Sequence, residues 1–337
     1  MTERRRDPTT GEWRMFAGHR QDRTFLPPED HCPLCPSRPG RPPTEIPLPA
    51  FDVAVFENRF PSLSATPPDP DVTTTPLYEV APSLGANEVI VYSDDHHLEL
   101  SDMEPAKIAR IVDVWAERTA VLGDRDEIAY VLIFENRGEA MGVTLHHPHG
   151  QIYAYPEVPP RPHLELATAS AYLAERGTCV FCDVVTREQA EGVRVVAQNP
   201  SFVAFVPFAA RYPYEVHVVA RRHTPSVVDL CAPERLALAE LLKVVLGAYD
   251  SLFDFRLPYV MAIHQAPTDH ARWESVSHLH LELMPPHRTA TKLKFLAGSE
   301  LGGGAFINDT SPEVTAAALR NAVRPLGSSR SLRRRTS

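Results

Sequence analysis

Two cysteine pairs of the form Cys-x-x-Cys are the first candidates for chemistry in this sequence. Each pair is followed, in the same order, by a histidine after an apolar run and by a histidine in a His-x-His segment. Zinc binds Cys and His in closed tetrahedral sites, often with two cysteines close together in the chain. The spacing therefore predicts two structural zinc ions per chain. The expected ligands are Cys32, Cys35, His96 and His147 in the first half and Cys179, Cys182, His223 and His278 in the second.

The segment HPHGQ, residues 147–151, adds a candidate nucleophile beside the first of these sites. We assign it to a β-like run and expect His147 to turn toward the metal, while His149 and Gln151 face a cleft on the other side. Neutral imidazole is a good nucleophile near pH 7 and can form a covalent intermediate. A glutamine amide can donate a hydrogen bond to a phosphate oxygen as charge develops. The pattern favours phosphoryl transfer, and Gly150 would let a ligand approach the backbone.

Two further groups of residues could contact phosphate. Gly138, Gly142 and Thr144 lie just upstream, where a loop of small residues can present backbone N–H groups. Arg20 and Arg23 could pair with phosphate oxygens. From spacing alone, these two arginines fit a solvated surface equally well.

A repeated order of elements must position these side chains. In each half, a β-rich run near the middle histidine is followed by an amphipathic helix, a strand, a short loop and the His-x-His run. The helices are predicted at 103–122 and 233–253, because apolar residues recur there every three or four positions. The repeat indicates an internal duplication with a period of about 140 residues.

The composition limits the class of protein. The 337 residues are 43% hydrophobic, which suits about two domains with a developed core. The net charge of −9 is opposite in sign to that of most non-specific nucleic-acid binders, so we expect no nucleic-acid partner. We also expect no membrane contact and a cytoplasmic location, since no apolar run approaches about 18 residues and the N-terminus lacks an apolar signal segment. Thiols stay reduced in the cytosol, which favours metal binding by the cysteine pairs.

The segment HPHGQ, preceded by FENRGEAMG, resembles the active-site signature of the galactose-1-phosphate uridylyltransferase family, in the histidine-triad superfamily. The segments CPLC, VFENRFPSL, SDDHHLELSD and PPHRTATKLKFLAGSELG follow that family's order, so the resemblance spans roughly residues 4–325. It implies an α+β fold of two histidine-triad-like halves, each an antiparallel sheet with flanking helices, in a homodimer. The expected divisions are domains at 1–165 and 166–326 and a disordered basic tail at 327–337.

The resemblance also implies a ping-pong reaction between UDP-glucose and a hexose 1-phosphate. His149 would attack the α-phosphorus of UDP-glucose and release glucose 1-phosphate, and galactose 1-phosphate would then accept the uridylyl group. Gln151 fits a transferase, since a sugar phosphate of low pKa can leave without a general acid. The resemblance selects His96 rather than His97 as the zinc ligand. By position it assigns nucleotide and phosphate binding to Arg20, Arg23, Asn58, Asn136 and Thr144, and sugar-phosphate or hexose contacts to Lys294 and Glu300.

Three alternatives stay open from the sequence. The family's second metal site would use Glu165, His264, His278 and His280, but the second Cys₂His₂ set also needs His278, and the repeat favours that set. No glutamine follows Glu300, and this ending with two cysteine pairs resembles a branch that includes ADP-sugar phosphorylases. The third alternative is a zinc-stabilised binding module without catalysis, which the HPHGQ segment disfavours.

Overall fold

The computed structural model describes residues 2–40, 43–269 and 271–324. The strands are β1 (Thr2–Arg6), β2 (Trp13–Ala17), β3 (Ala54–Glu57), β4 (Val80–Pro82), β5 (Ala86–Val91), β6 (Tyr130–Arg137), β7 (His149–Tyr155), β8 (Val195–Gln198), β9 (Phe202–Phe205), β10 (Val216–Ala220), β11 (Tyr259–His264), β12 (His280–Met284), β13 (His287–Thr289) and β14 (Lys292–Leu293). The α-helices are α1 (Pro105–Gly123), α2 (Pro160–Arg176), α3 (Val180–Glu191), α4 (Ala232–Leu252) and α5 (Pro312–Ala322). Short 3₁₀ turns lie at Gly18–Asp22, Glu29–His31, Glu139–Met141 and Val227–Asp229, and a π-helical turn lies at Gly298–Gly302. The expected basic tail at 327–337 lies outside the described residues.

Among the described strands, nine form one antiparallel sheet in the order β3-β5-β7-β6-β11-β12-β10-β9-β8. The first four strands come from the first half of the chain and the other five from the second. The halves are joined by β6 and β11, which pair from Ile133 opposite Ile263 to Arg137 opposite Tyr259. Two small sheets, β2-β1-β4 and β13-β14, lie apart from it. The α+β class with antiparallel sheets is confirmed, and the two expected sheets are continuous with each other.

The predicted repeat of elements is present in both halves. The first half has β5, α1, β6 and β7 in this order, and the second has β10, α4, β11 and β12. Both central helices begin close to the predicted positions and carry proline in the first turn, where its missing N–H leaves no hydrogen bond unmade. The sequence pattern therefore located the elements that carry the candidate site.

Helices α1 and α4 cover one face of the large sheet and pack against each other. Their apolar stripes meet the sheet in a single core, in which Trp115 of α1, Leu242 of α4 and Ile152 of β7 are fully buried. Burying each side chain of this kind stabilises the fold by about 1.5–3 kcal/mol. None of the helices in the described residues has both the length and the apolarity needed to cross a membrane.

The two cysteine pairs lie on the opposite face of the sheet. In the first half, Cys32 and Leu34 pack on Val89 and Val91, which alternate along β5 with the core residue Ile90. In the second half, α3, which begins directly after Cys179 and contains Cys182, packs on side chains of β9 and β10 that alternate with core residues. The cysteine-bearing face therefore carries the candidate functional residues, and the face covered by α1 and α4 forms the main core beneath them.

Candidate active site

A pocket of about 210 Å³ opens on the cysteine-bearing face of the first half. The predicted residues that line it are Arg20, Arg23, Asn58, Asn136, Thr144, His149 and Gln151. Apolar side chains, among them Leu34, Phe56, Val89 and Phe134, form much of the remaining wall. The structure thus brings the predicted nucleophile together with the predicted arginine, asparagine and threonine residues; of the two predicted loop glycines, Gly142 lines the pocket and Gly138 does not.

His149 is the first residue of β7, and its ring is fixed by the backbone. Its Nδ1 lies 2.8 Å from the carbonyl oxygen of His147. Because a carbonyl oxygen can only accept a hydrogen bond, Nδ1 carries the proton and Nε2 keeps a lone pair. Burial lowers the pKa of His149, which favours the neutral ring. The geometry therefore leaves Nε2 available as a nucleophilic atom in the pocket.

Gln151 lies on the same side of β7, two positions further along. Its Oε1 accepts a hydrogen bond from the Tyr153 hydroxyl at 3.3 Å. Arg20 donates to that hydroxyl at 3.4 Å and to the backbone oxygen of Phe60 at 3.0 Å. These contacts occupy the carbonyl end of the Gln151 amide, so its NH₂ group is the end that can donate to a ligand.

The four predicted ligands of the first metal site converge. The ligand atoms of Cys32, Cys35, His96 and His147 all lie within 4.8 Å of one another. Cys35 Sγ is 3.3 Å from His96 Nδ1 and 3.5 Å from His147 Nδ1. Standard Zn–S and Zn–N bonds in a tetrahedral site place sulfur and nitrogen about 3.6 Å apart. The Nε2 atom of His147 donates to the Ser93 carbonyl oxygen at 2.8 Å, which directs Nδ1 toward the sulfurs.

The second predicted set has the same arrangement. Cys179, Cys182, His223 and His278 also place their ligand atoms within 4.8 Å of one another. Cys182 Sγ is 3.5 Å from His223 Nδ1 and 3.6 Å from His278 Nδ1. The Nε2 atom of His278 donates to the Ala220 carbonyl oxygen at 2.7 Å. Both groups therefore have the donor atoms and spacing to hold a metal ion such as zinc.

The protonation of these side chains is consistent with metal binding. Burial lowers the pKa of His147 and of His278 to about 4, so both rings are neutral, as metal ligands must be. Burial raises the pKa of Cys35 to about 12 and that of Cys182 to about 11. A thiol with so high a pKa is unreactive on its own, but a divalent cation deprotonates a coordinating thiol outright.

Two family models match consecutive parts of the chain. "Galactose-1-phosphate uridyl transferase, N-terminal domain" matches residues 1–159, and "Galactose-1-phosphate uridyl transferase, C-terminal domain" matches residues 165–330. The chain belongs to this family. The expected domain boundary at residue 165 stays a prediction. In the structure this position lies inside α2 (Pro160–Arg176).

Individual relatives agree with this assignment. A galactose-1-phosphate uridylyltransferase of Thermotoga maritima is 38% identical over 320 residues, which cover 95% of this chain and 98% of the relative. A solved uridylyltransferase structure has a TM-score of 0.84 at 38% identity and covers 95% of this chain and 98% of its own. An ADP-glucose phosphorylase from Arabidopsis thaliana, solved with bound ADP-glucose, has a TM-score of 0.71 at 27% identity, with 95% and 98% covered.

The expectation that His147 and His149 face opposite sides of the sheet is wrong. Leu34 lines the His149 pocket and packs with Cys32, whose sulfur lies 4.0 Å from the His147 ring, so both histidines serve the same face. The physical reason is that residues two apart in an extended chain share a face. The rings reach different groups because β7 begins only at His149, after Pro148.

The structure does not bring together the four ligands of the alternative metal site, which are Glu165, His264, His278 and His280. Both ring nitrogens of His278 are directed elsewhere, one to the cysteines and one to Ala220. Glu165, His264 and His280 do converge, but Glu282 completes their group. The structure thus separates the Cys₂His₂ group from a second group of carboxylates and histidines.

Lys294 and Glu300 are two further predicted binding residues that the structure does not bring to the His149 pocket. They follow β13 and pair with each other, with 3.0 Å between Lys294 Nζ and Glu300 Oε1. Lys294 also donates to the carbonyl oxygen of Ile307. Neither residue is among the described residues that line the pocket.

Sequence reasoning missed several pocket residues, most of them apolar. Tyr153 lies two positions after Gln151, so strand alternation could have placed it on the same face. Phe134 faces Gln151 across the β6–β7 pair, a relation that only the strand register reveals. Glu282 was likewise not assigned to a titratable cluster, since its neighbours come from three separate elements.

Proposed function

We propose that this chain transfers a uridylyl group from UDP-glucose to a hexose 1-phosphate, galactose 1-phosphate in the first instance, through a covalent intermediate on His149. The observation that carries the proposal is the orientation of the His149 ring. The His147 carbonyl fixes the tautomer with a free Nε2, inside a pocket lined by Arg20, Arg23 and Gln151. Family membership supports the same activity.

The proposed reaction has two displacements at the same phosphorus. In the first, His149 Nε2 bonds to the α-phosphorus of UDP-glucose, and the bond between that phosphorus and the bridging oxygen breaks to release glucose 1-phosphate. In the second, a phosphate oxygen of galactose 1-phosphate attacks, releasing UDP-galactose and free His149. Both leaving groups are weak bases, so neither step needs a general acid. The amide of Gln151 donates to the non-bridging oxygens as charge builds.

The other lining residues supply binding. Arg20 and Arg23 offer guanidinium donors that suit the phosphates. Asn58 accepts a hydrogen bond from the Phe60 backbone at 2.9 Å, which leaves its NH₂ group to donate to a ligand. Asn136 and Thr144 add polar groups on the neighbouring wall. The apolar part of the pocket suits the flat face of a nucleobase.

We propose that both Cys₂His₂ groups hold structural zinc. A closed tetrahedral site has no open position for substrate, so zinc would supply stability and not chemistry. The first site would fix the backbone just before His149, because His147 is one of its ligands. The second would tie the N-terminus of α3 to β12 through Cys179 and His278.

We further propose a homodimer. The single chain keeps Lys294 and Glu300 away from the His149 pocket. In the proposed homodimer, the segment that carries them would reach the His149 pocket of the second copy. The segment around them exposes Phe295, Leu301 and Ile307, with 74%, 73% and 59% of each residue accessible. Large exposed apolar side chains close together are typical of an interaction surface.

A second candidate function is nucleotidyl transfer from ADP-glucose. It is favoured by the similarity to the plant ADP-glucose phosphorylase and by the lack of a glutamine after Glu300. It uses the same nucleophile and differs in the base and the acceptor.

The deciding experiment incubates the purified protein separately with UDP-glucose and ADP-glucose, each carrying ³²P in the α-phosphate. Label retained after denaturation from UDP-glucose alone supports the proposal, and the His149→Gly variant should take up none. Label from ADP-glucose alone would establish the second candidate. No label from either, in protein that binds both compounds, would leave a binding module.

A further inference from the structure

Three buried side chains, Tyr92, Glu135 and Tyr259, form a hydrogen-bonded group that the proposed reaction does not use. The group lies behind the strand that carries His149, on the face of the sheet covered by α1 and α4. The Tyr92 hydroxyl donates to Glu135 Oε2 at 3.0 Å, and the Tyr259 hydroxyl donates to Oε1 of the same carboxyl at 2.9 Å. All three side chains are buried. Burial raises the pKa of Glu135 to about 7, although both hydroxyl groups act against the shift.

One member of this group touches the backbone of the HPHGQ segment. A Cβ atom added to Gly150 would lie 2.3 Å from the Tyr92 hydroxyl oxygen and 3.1 Å from the ring carbon that bears it. The hydroxyl therefore packs directly against the Cα of Gly150. The Tyr92 backbone N–H also donates to the carbonyl oxygen of Pro148 at 3.5 Å. Tyr92 thus contacts the residues on both sides of His149.

The contact between Tyr92 and Gly150 lies where a small displacement of the strand would move both His149 and Gln151. Gly150 separates His149 from Gln151, and these two side chains point away from Tyr92 into the pocket. An in-line attack needs the nucleophile within a fraction of an ångström, and an error of 1 Å can lower the rate by about 10²-fold. A rigid group against the Cα of Gly150 controls how far the strand can recede.

We propose that Tyr92 is a positioning residue for the covalent step, whose hydroxyl, held by Glu135, supports Gly150 from behind and keeps His149 and Gln151 in their reactive places. The inference rests on the proposed function, because it concerns the rate of that step. It also gives a reason for glycine at position 150: any larger residue would collide with the supporting hydroxyl.

Tyr259 provides a matched control. It makes the same kind of hydrogen bond to the same carboxyl and is equally buried, but it is not among the nearest neighbours of Gly150. Tyr92→Phe and Tyr259→Phe each remove one buried hydroxyl that donates to Glu135. A purely structural role predicts equal effects on melting temperature and equal effects on activity.

The test measures single-turnover ³²P incorporation from α-labelled UDP-glucose, together with melting temperature. We expect both variants to melt at similarly reduced temperatures. Tyr92→Phe should lower the saturating rate about tenfold with an unchanged half-saturating concentration, whereas Tyr259→Phe should keep the rate of the unmodified protein. Equal rates in the two variants, whether both fast or both slow, would overturn the proposal. Absence of label in the unmodified protein would instead contradict the proposed function.

A second pair of variants tests the contact itself. Gly150→Ala places a methyl group against the Tyr92 hydroxyl and should lose most of the labelling rate. Combining it with Tyr92→Phe removes the closest of the clashing atoms, so the double variant should be faster than Gly150→Ala alone. A double variant no faster than Gly150→Ala would show that the hydroxyl does not support the strand, and would overturn the proposal.

Discussion

His149 and His280 occupy corresponding positions in the two halves of the sheet. In each case the ring Nδ1 lies 2.8 Å from the carbonyl oxygen two residues earlier. The preceding histidine in each half donates from Nε2 to a backbone oxygen, at 2.8 Å for His147 and 2.7 Å for His278, and turns Nδ1 to a cysteine pair. The two His-x-His segments therefore have matching local geometry in the two halves.

The surroundings of the two rings differ in charge and in space. His149 opens into a pocket with arginine and amide groups. His280 is covered, with Phe181 stacked on it at 4.4 Å between centroids and Glu165 at 3.8 Å from its Nε2. Glu282 stands where the first half has Gln151; burial opposes its ionisation, but His217, His264 and Arg211 hold its pKa well below the ordinary value.

If His149 is the nucleophile, as proposed, the orientation of the imidazole alone does not make a histidine reactive in nucleotidyl transfer. An ionised carboxylate beside the ring repels phosphate, whereas an amide donates to it. Under the proposed function, we therefore expect one reactive histidine per chain, although two are oriented in the same way. The three predictions below test this contrast, beginning with the largest expected effect.

Exchanging each histidine for glycine gives the sharpest contrast. His149→Gly should abolish covalent labelling and turnover while two metal ions per chain remain, because the nucleophile is lost and the ligands are kept. His280→Gly should lower the melting temperature, since it leaves a cavity in a buried site, yet keep labelling per folded molecule. Turnover and metal analysis on both variants decide the matter, and full activity in His149→Gly would refute the assignment.

Residue 151 tests the role of charge beside the ring. Gln151→Ala should lower the rate of turnover by about 10²–10³-fold, as the loss of one oxyanion donor does in other enzymes. Gln151→Glu reproduces the arrangement of the second half and should be slower still, because a carboxylate repels the phosphates. Steady-state rates with saturating substrates give the answer; a glutamate variant as fast as the unmodified protein would show that this position does not face phosphate.

The metal sites give the smallest contrast in activity. Cys35→Ser and Cys182→Ser should each lower zinc from two ions per chain to one. The first should also lower activity about 10–100-fold, because His147 then no longer anchors the chain before His149. The second should retain most of its activity, since its site serves only the second half. Elemental analysis and turnover check both, and equal losses of activity in the two variants would contradict the difference in roles.

The sequence predicted best those features that depend on residue type and on the local spacing of apolar residues. Cysteine and histidine have few roles in combination, so the ligand sets could be proposed before their distances were known. Helices α1 and α4 follow from apolar spacing alone. The pairing of β6 with β11 has no local signal, because strand partners are chosen by the whole sheet. The face of His147 was misjudged because side chains two positions apart in an extended chain lie on the same face, so His147 and His149 do not point to opposite sides.

The joint between β6 and β11 also bears on how such a duplicated chain can be divided. Each strand hydrogen-bonds to the other along five residue pairs, from Ile133 with Ile263 to Arg137 with Tyr259. A half expressed alone would present one of these strands as a bare edge in the middle of an apolar surface, and unpaired edges of this kind template aggregation. A cut between the two halves would therefore create two such edges at once, and each would have to be covered again, most simply by the other half.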